Sequence, residues 1–417
     1  DMKSPLQRDL TPLQKDFIYK ESEFGADTYK PLRVVLSKGS GVWLWDVDGN
    51  KYLDMMSAYS AVSHGHSHPE LIKVLREQSE RLVITSRAFY TETLGAFLEK
   101  LTEVSGFEVA LPMNTGAEGV ETAIKAARRW GYKSKKIPPN KAEIIVADQN
   151  FHGRTTTIIS FSSDKESKED FGPLTPGFKT VKFGCIDSLR SAITENTAAF
   201  LVEPIQGEAG IVIPDPSWLP KVRELCTENN VLLILDEIQS GLGRTGKMFA
   251  YEHSSIRPDG LILGKALGGG LLPVSCFLSS KEVMQWFVPG SHGSTFGGFA
   301  LAAAIGKRSI ELIEEEQLAQ NSMHLGNYFL NQLKEISSPI ILEVRGKGLW
   351  IGVEIDTKII TGRELCKRLL TRGILSKETH DSVIRFAAPL IISKKEIDWA
   401  LEIFKKVISE IETEQQN

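Results

Sequence analysis

A lysine and an aspartate stand at the ends of two apolar segments that lie close together in the sequence. Lys265 follows the run 260–264, and Asp236 follows the run 231–235. Short apolar runs of this kind are typical of buried parallel strands, whose carboxyl ends share one edge of a sheet. A lysine amine can hold an aldehyde as a Schiff base, and a carboxylate can keep a ring nitrogen protonated. Pyridoxal phosphate needs both functions from a protein.

The pair alone leaves a second interpretation open. Apolar strands that end in a charged residue are common in α/β proteins, so Lys265 is equally consistent with a solvated lysine and Asp236 with an ordinary strand-end acid. Other motifs in the sequence are needed to distinguish a cofactor site from ordinary charged strand ends.

A helix start that suits a phosphate lies between residues 115 and 118. Thr115 and Glu118 have the spacing of a capping box, and apolar residues follow at helical period. Gly116 and Ala117 leave the backbone N–H groups of the first turn accessible, and the helix dipole favours an anion there. A helix cap without a ligand is the simpler reading of this motif taken alone.

The segment Phe151-His152-Gly153-Arg154 follows another predicted strand. Phe151 is a candidate for stacking on a cofactor ring, and Arg154 is a candidate for binding a substrate carboxylate through two hydrogen bonds. We count His152, which lies between them, among the cofactor-binding candidates. A core phenylalanine and a surface arginine would explain the same residues.

Amide and hydroxyl groups complete the set of candidates. The segment 203–208 follows a strand and contains two acids and an amide, and Gln239 stands three residues beyond Asp236, within reach of a cofactor phenolate oxygen. The glycine-rich loop 290–298 carries Ser294 and Thr295, whose hydroxyls could contact phosphate. Glycine loops are common, so this one has weight only in combination.

Three alternating histidines, His64, His66 and His68, raise the question of a metal site. Residues at alternate positions of an extended strand share one face, as ligands must. No acidic or cysteine ligand stands beside them, and glycine and proline interrupt the segment. We therefore expect packed or hydrogen-bonded histidines and no metal.

Bulk composition narrows the class of protein. The chain has 417 residues, of which 41% are hydrophobic and 24% charged, which is ordinary for a globular protein with a sizeable core. A net charge of −4 and the absence of a long basic run argue against nucleic acid, and the apolar runs are too short for a membrane span. The N-terminal residues contain no apolar signal core, and four scattered cysteines without a CxxC spacing suit a reducing cytoplasm.

The pattern along the chain predicts an α/β fold with a large and a small domain. Residues 42–56 alternate around an Asp-Gly turn and predict a hairpin. From about 90 to 305 helical patterns alternate with apolar runs, which indicates a mostly parallel sheet covered by helices. We expect residues 1–55 to form an N-terminal segment and hairpin of the small domain, 56–305 the large cofactor-binding domain, and 306–417 the rest of the small domain.

Taken in order, these motifs resemble those of the class III, fold type I aminotransferases, over about residues 25–410. The resemblance implies a mostly parallel seven-stranded sheet and pyridoxal phosphate bound to Lys265, which would also shuttle the substrate proton. Asp236 would hold the ring nitrogen, Phe151 would stack on the ring and Gln239 would bind its phenolate oxygen. Gly116 and Ala117 would hold the phosphate. Thr295 would come from the neighbouring subunit, which implies a homodimer with shared sites.

Three segments, 24–29, 45–49 and 57–62, are most similar to family members that transfer the δ-amino group of L-ornithine to 2-oxoglutarate. This activity would belong to arginine metabolism and proline biosynthesis. The resemblance implies five substrate-binding residues. Arg385 would grip the α-carboxylate of glutamate, Glu208 would mask Arg385 when ornithine enters, Tyr29 would engage the ornithine carboxylate, Tyr59 would line the pocket, and Arg154 would take the distal carboxylate of 2-oxoglutarate.

Several alternatives remain open from the residues. N-acetylornithine or 4-aminobutyrate aminotransferases of the same family would share the main site residues, and Tyr29 and Tyr59 are what separate them. An aminomutase of the glutamate-semialdehyde type would work without an external oxo acid. A cofactor-binding regulatory protein would keep the fold without turnover, but no helix-turn-helix extension or basic patch supports it.

Overall fold

The computed structural model describes residues 9–417; residues 1–8, where the predicted N-terminal segment begins, lie outside the described residues. The strands of the described chain, numbered in order, are β1 (Leu36–Ser40), β2 (Trp43–Asp46), β3 (Lys51–Asp54), β4 (Val109–Met113), β5 (Glu143–Ala147), β6 (Phe178–Val181), β7 (Thr197–Val202), β8 (Leu232–Asp236), β9 (Gly260–Leu263), β10 (Ser275–Ser279), β11 (Ile341–Gly346), β12 (Ile351–Ile355), β13 (Ile374–Leu375), β14 (Lys377–Thr379) and β15 (Val383–Phe386).

The helices, numbered in the same way, are α1 (Pro12–Phe24), α2 (Ser57–Ser60), α3 (Pro69–Arg81), α4 (Leu94–Ser105), α5 (Gly116–Lys133), α6 (Ile186–Ala192), α7 (Trp218–Glu228), α8 (Lys281–Met284), α9 (Ala300–Glu315), α10 (Leu318–Lys334), α11 (Gly362–Thr371) and α12 (Lys394–Gln416). Short 3-10 turns occupy Ile158–Phe161, Ala250–Ser254 and Lys265–Gly268. Within residues 9–417, no helix combines the length and the apolar character needed to cross a membrane.

A seven-stranded sheet forms the centre of the molecule, in the order β4-β10-β9-β8-β7-β5-β6. Only β10 runs against its neighbours, and all other pairings between adjacent strands are parallel. Every residue of β7, β8 and β9 is buried, because helices cover both faces of the sheet. The predicted mostly parallel sheet is confirmed.

Alternate residues of the central strands enter two apolar clusters on opposite faces. Ile144 and Val146 of β5 pack with α5, whereas Ile145 and Ala147 pack into the larger cluster on the other side. Since β5, β7, β8 and β9 are parallel, their carboxyl ends lie along one edge. This edge receives the residues that follow each strand.

Two smaller sheets accompany the central one, and the first of them joins strands from both ends of the chain. The predicted hairpin is confirmed: β2 and β3 pair antiparallel around a turn in which Gly49 has a φ of 85°. Strand β13 adds to this sheet, parallel to β3, and the second small sheet has the order β11-β12-β15-β14. The pairing of β3 with β13 supports a small domain built from both ends of the chain, although the boundaries at 55 and 305 stay a prediction.

The predicted capping box of α5 is present, and a second one begins α12. Thr115 caps α5 by accepting the N–H of Glu118, whose carboxylate accepts the N–H of Thr115 at 2.7 Å. Ser393 and Glu396 make the same reciprocal pair at the start of α12. Each box satisfies backbone donors that a helix start otherwise leaves free.

One turn of the chain is left-handed. All four residues of α2, Ser57, Ala58, Tyr59 and Ser60, have positive φ values, between 45° and 77°. None of them is glycine, and a left-handed conformation costs a non-glycine residue about 1–2 kcal/mol. The surrounding structure must therefore impose this turn, and it carries one of the predicted substrate residues.

Candidate active site

Lys265 begins the 3-10 turn that directly follows β9, in a left-handed conformation with a φ of 46°. Burial lowers the pKa of its amine, Glu208 and Asp236 oppose this shift, and the positive charge of Arg385 adds to it. A lowered pKa increases the fraction of unprotonated amine, which is the form that reacts with a carbonyl carbon.

Asp236, the last residue of β8, is buried and held in place from two sides. Its Oδ2 is 2.6 Å from Nδ1 of His152, and its Oδ1 accepts the N–H of Ile238 at 3.0 Å. Burial alone would lower the pKa of His152, but the bond to Asp236 and its charge outweigh this effect, so the pKa is raised. The pair therefore presents a fixed carboxylate to the cleft.

A cleft at the carboxyl edge of the sheet brings seven of the predicted cofactor residues together. The predicted residues that line it are Gly116, Ala117, Phe151, His152, Asp236, Gln239 and Lys265. Ile205, Ile238 and Ser240 line it as well, and no motif in the sequence marks them as site residues. They follow the same strand ends and could have been found only from the position of those ends.

The start of α5 closes one end of the cleft. Gly116 lies against Ile238, such that a Cβ atom at residue 116 would come within 3.0 Å of the Ile238 side chain. Thr115 itself is exposed, and its carbonyl accepts a hydrogen bond from Ser275 at 2.7 Å. The backbone of the first helical turn, rather than the Thr115 side chain, therefore faces the cleft and suits a phosphate.

Glu203 is a buried acid of the cleft that was not among the predicted site residues. Its Oε1 accepts the N–H of Phe151 at 3.0 Å and so fixes the start of the Phe151 loop. Burial raises the pKa of Glu203 to about 8, with His152 opposing and Asp236 adding to the shift. Its strand-end position was visible in the sequence, but its burial depends on the packing of separate strands.

The substrate side of the cleft contains an ion pair between Glu208 and Arg385. Arg385 Nη1 lies 2.8 Å from Glu208 Oε1, which also accepts a hydrogen bond from Gln239 at 3.1 Å. Burial would raise the pKa of Glu208, but the charge and hydrogen bond of Arg385 outweigh it and the pKa is lowered. Thr379, which the sequence analysis missed, donates to the backbone carbonyl of Glu208 at 2.5 Å.

Tyr59 lies between the two cations of the site. The Lys265 amine and the Arg385 guanidinium carbon are each 5.1 Å from the centroid of its ring. Both distances fall within the range of cation–π attraction. The left-handed turn thus places an aromatic ring where the reacting lysine and the substrate-side arginine meet.

A second cavity adjoins the first and shares Phe151, His152 and Gly153 with it. Arg154 and Glu208 line this second cavity, and the guanidinium of Arg154 lies 5.9 Å from the Phe151 ring centroid. The two cavities share these residues as a common wall, so Arg154 stands next to the cleft, on the side that Glu208 also lines.

Six predicted residues line neither cavity: Thr115, Tyr59 and Arg385, whose contacts are given above, and Tyr29, Ser294 and Thr295. Tyr29 is 73% exposed in the segment before β1. The Ser294 hydroxyl accepts a hydrogen bond from Asn114 at 2.9 Å, and Thr295 is exposed. The roles of Tyr29, Ser294 and Thr295 stay predictions.

The three alternating histidines have three different partners. His64 Nε2 is 2.8 Å from the carbonyl of Ser309, His66 bonds to Asp54 at 2.7 Å, and His68 bonds to Glu316. Burial lowers the pKa of His64 to about 4, so it is neutral at physiological pH. Across residues 9–417, no group of three or more His, Cys, Asp or Glu side chains is arranged to hold a metal.

The site fits pyridoxal phosphate in its donor chemistry. A fixed carboxylate, an amine of lowered pKa and a helix start lie around one cleft, and the buried Nε2 of His152 has no hydrogen-bond partner in the described part of the chain. With a mostly parallel seven-stranded sheet, this arrangement defines a fold type I pyridoxal-phosphate-dependent enzyme.

Comparison with known proteins identifies the family within this class of enzymes. The sequence profile of the family described as "Aminotransferase class-III" matches residues 24–408. The chain belongs to the class III aminotransferases, which depend on pyridoxal phosphate. The ornithine aminotransferase of Brevibacillus brevis is 54% identical over 391 residues, which cover 94% of this chain and 97% of that protein.

Two solved structures are similar over nearly the whole chain. The ornithine aminotransferase of Toxoplasma gondii, described with partial occupancy of PLP at its active site, has a TM-score of 0.95 and 41% identity, covering 97% of this chain and 96% of that one. The acetylornithine aminotransferase of Elizabethkingia anophelis has a TM-score of 0.89 and 46% identity, covering 96% and 100%. The comparisons thus include enzymes named for ornithine and for acetylornithine, two of the three amino donors that the sequence left open.

Proposed function

We propose that this chain is an ornithine aminotransferase, which transfers the δ-amino group of L-ornithine to 2-oxoglutarate. The products are glutamate 5-semialdehyde, which cyclises to pyrroline-5-carboxylate, and glutamate. The two substrates react in turn at the same site, in a ping-pong sequence. The single observation that carries the assignment to transfer of a side-chain amine is the Glu208–Arg385 ion pair in the cleft. Tyr29 and Tyr59 are the residues that favour ornithine over N-acetylornithine and 4-aminobutyrate.

The ion pair explains how one site can bind substrates that differ in the charge beside the reacting carbon. Glutamate and 2-oxoglutarate place a carboxylate beside the reacting carbon, whereas ornithine places only its side-chain methylenes there. An unpaired Arg385 would favour the first kind of substrate, because a guanidinium binds a carboxylate through two hydrogen bonds. Paired with Glu208, Arg385 offers no free charge, so ornithine enters with its δ-carbon at Lys265. When the ion pair opens, Arg385 is free to bind the carboxylate of 2-oxoglutarate.

Each predicted residue has a part in this reaction. Bound pyridoxal phosphate supplies an aldehyde carbon that takes up and returns the amino group, and a ring that withdraws electrons. Lys265 moves a proton from the substrate carbon that bears the amine. Asp236, oriented by His152, keeps the ring nitrogen protonated, while Phe151 stacks on the ring and Gln239 binds its phenolate oxygen.

The remaining groups hold the ends of the ligands. The backbone of Gly116 and Ala117, with Thr115 capping the helix, holds the phosphate. Tyr29 engages the carboxylate of ornithine, Tyr59 lines the pocket, and Arg154 binds the distal carboxylate of 2-oxoglutarate. The positions of Gly116, Ala117 and Arg154 around the two cavities support their roles, and the contacts of the Tyr59 ring with Lys265 and Arg385 support its role. Tyr29 is exposed and needs a partner surface or a bound substrate to enclose it.

We further propose a homodimer with shared sites, in which Ser294 and Thr295 contact the phosphate in the other subunit. The exposure of Thr295 leaves it accessible to a second copy. A cytoplasmic location is consistent with the four free cysteines, three of which are buried. The two proposals are independent of the choice of amino donor.

The amino donor is tested by incubating the purified holoenzyme with 2-oxoglutarate and L-ornithine, N-acetylornithine or 4-aminobutyrate in separate reactions. We expect formation of pyrroline-5-carboxylate from ornithine, at a kcat/KM at least about tenfold above the other two donors. Turnover confined to N-acetylornithine would overturn the proposal in favour of an acetylornithine aminotransferase. The 46% identity to such an enzyme makes this the donor that must be compared directly.

A further inference from the structure

Arg244 is a fully buried arginine outside the cleft, with 0% of its surface exposed. Its guanidinium makes four hydrogen bonds, and none of them goes to a carboxylate. Nη1 donates to the carbonyls of Leu349 at 2.9 Å and Ala388 at 2.5 Å. Nη2 donates to the hydroxyls of Ser57 at 3.2 Å and Ser63 at 3.1 Å.

Each of the two terminal nitrogens of Arg244 binds a segment that carries a residue of the substrate site. Nη2 binds Ser57, the first residue of the left-handed turn that carries Tyr59. Nη1 binds Ala388, three residues after Arg385 in the segment that leaves β15. The Ser57 hydroxyl also donates to the carbonyl of Ala387 at 2.6 Å, so the turn and the segment are joined directly as well.

The other carbonyl partner extends the same support to Glu208. Leu349 precedes Trp350, whose indole ring packs so closely on Gly207 that a Cβ atom there would lie 2.5 Å from it. Gly207 is the residue before Glu208. Through its partners, Arg244 therefore contacts the chain segments that position Tyr59, Arg385 and Glu208.

Stability alone is a poor reason for this arrangement. A buried charge without a carboxylate partner loses its hydration, and an apolar side chain of similar volume would avoid that cost. Burial lowers the pKa of Arg244 to about 9, with Asp54 opposing, so the side chain still carries its charge at neutral pH. What the planar guanidinium adds is a fixed spacing between two sets of acceptors.

We propose that Arg244 is a positioning residue for substrate selection. It fixes the left-handed turn with Tyr59 against the segment that follows Arg385, and so sets how well the site accepts a carboxylate beside the reacting carbon. This role of Arg244 concerns the same site as the proposed function, and it rests on that function only for the choice of the amines whose KM values are compared. Every donor considered above reacts at a carbon without an adjacent carboxylate, whereas glutamate reacts beside one.

The test uses the holoenzyme of Arg244→Lys. A lysine has a single nitrogen and can serve either the carbonyls or the serines, but cannot hold both at the spacing of the guanidinium. We expect the KM for glutamate to rise about tenfold or more, the equivalent of losing about 1.4 kcal/mol of binding. The KM for the ω-amine donor that the wild type accepts should stay within about threefold, and the cofactor content should not change.

Hydrogen exchange gives a measurement that does not depend on turnover. In Arg244→Lys the backbone amides of residues 57–63 and 386–390 should exchange faster than in the wild type. Ser63→Ala is a milder variant, since the Ser63 hydroxyl links Arg244 to the carbonyl of Ser60 in the turn. It should shift KM in the same direction by a smaller factor, and it serves as the test if Arg244→Lys does not fold.

Lys135→Met is the matched control. The Lys135 amine also donates only to carbonyls, those of Thr197, Asn229 and Asn230, but these lie at the opposite edge of the sheet from the cleft. We expect it to lower thermal stability without changing either KM. Equal changes of KM for both amines in Arg244→Lys, or unchanged exchange at residues 57–63, would overturn the inference. Failure of the wild type to use ornithine would instead contradict the proposed function.

Discussion

At the scale of single residues, the site is a small set of charged groups that shift one another's pKa values. Glu208 lies within the field of both Arg385 and Lys265, and its negative charge opposes the lowering of the Lys265 pKa. A change at one member of the set therefore alters both substrate charge preference and the protonation of the reacting amine. Two predictions belong to this scale.

The first concerns Glu208→Ala. Without its partner, Arg385 is free to bind a carboxylate in both half-reactions, so glutamate should compete better with ornithine. We expect the ratio of δ- to α-amino transfer to fall about tenfold or more, since a hydrogen bond to a charged group is worth about 1.5–3 kcal/mol. Half-reaction rates with each amine measure the ratio. Glu414→Ala, which removes the Arg368–Glu414 pair between α11 and α12, is the control. An unchanged ratio in Glu208→Ala means that the pair does not select the substrate.

The second concerns pH and the buried acid Glu237, which accepts the N–H groups of Ala250 and Tyr251. Burial raises its pKa to about 8, against the opposing effect of these two hydrogen bonds. In the unfolded chain the carboxyl ionises near its ordinary value of 4.5. Between these two values the unfolded state binds fewer protons than the folded state, so stability falls as pH rises.

Glu237→Gln removes this proton equilibrium. We expect the melting temperature of the wild type, relative to that of the variant, to decrease as the pH is raised from about 5 to about 8. The slope cannot exceed about 1.4 kcal/mol per pH unit, because one proton is involved. Glu228→Gln, at an exposed carboxylate that ends α7, should show the pH dependence of the wild type. A constant difference between wild type and Glu237→Gln across this range would show that Glu237 is ionised in the folded protein.

At the scale of elements, the strand ends and helix starts could be predicted from the sequence because their signals are local. The apolar runs before Asp236 and Lys265 gave the strands, and the spacing of Thr115 and Glu118 gave the start of α5. Since parallel strands end at one edge, this was enough to bring most of the proposed cofactor residues together.

The remaining elements depend on contacts between distant parts of the chain. No residue of the left-handed turn is a glycine, so nothing local marks it, and Ser57 is held by Arg244 and Ala387. The reversed direction of β10 also has no local signal, because its residues are as fully buried as those of the parallel strands β8 and β9. The burial of Glu203 is a property of the assembled sheet.

The capping boxes allow the contribution of a helix start to cofactor binding to be separated from its contribution to stability. Thr115→Ala should lower stability by about 1 kcal/mol and also weaken binding of pyridoxal phosphate, because the first turn of α5 loosens. Ser393→Ala removes an identical box from α12, far from the cleft, and should cost the same stability without affecting the cofactor. Thermal unfolding and titration of the apoenzyme with the cofactor measure the two effects. Equal cofactor affinity in both variants would contradict a role of the α5 start in binding.

At the scale of the whole molecule, the proposed shared site makes a prediction about mixed dimers. Lys265→Ala lacks the reacting amine, and Thr295→Glu places a negative charge where the phosphate in the other subunit is expected. Each homodimer should be nearly inactive. Co-refolding equal amounts should restore about a quarter of the wild-type activity, because half of randomly formed dimers are hybrids with one intact site.

A second mixture provides the control. Lys265→Ala combined with Asp236→Asn leaves one defect in each site of the hybrid, since both residues come from the same subunit. This mixture should recover no activity. If the mixture with Thr295→Glu also recovers none, Thr295 does not act across a subunit boundary.

The anchoring of the left-handed turn by residues late in the chain affects when, during synthesis, each side of the active site can form. The residues of the cofactor cleft lie between Gly116 and Lys265, so all of them have left the ribosome while much of the chain is still to be made. Tyr59 is made earlier still, yet its turn is held through Arg244 by Leu349 and Ala388. The side of the site that distinguishes one amine from another therefore takes shape last, after the final strand has emerged.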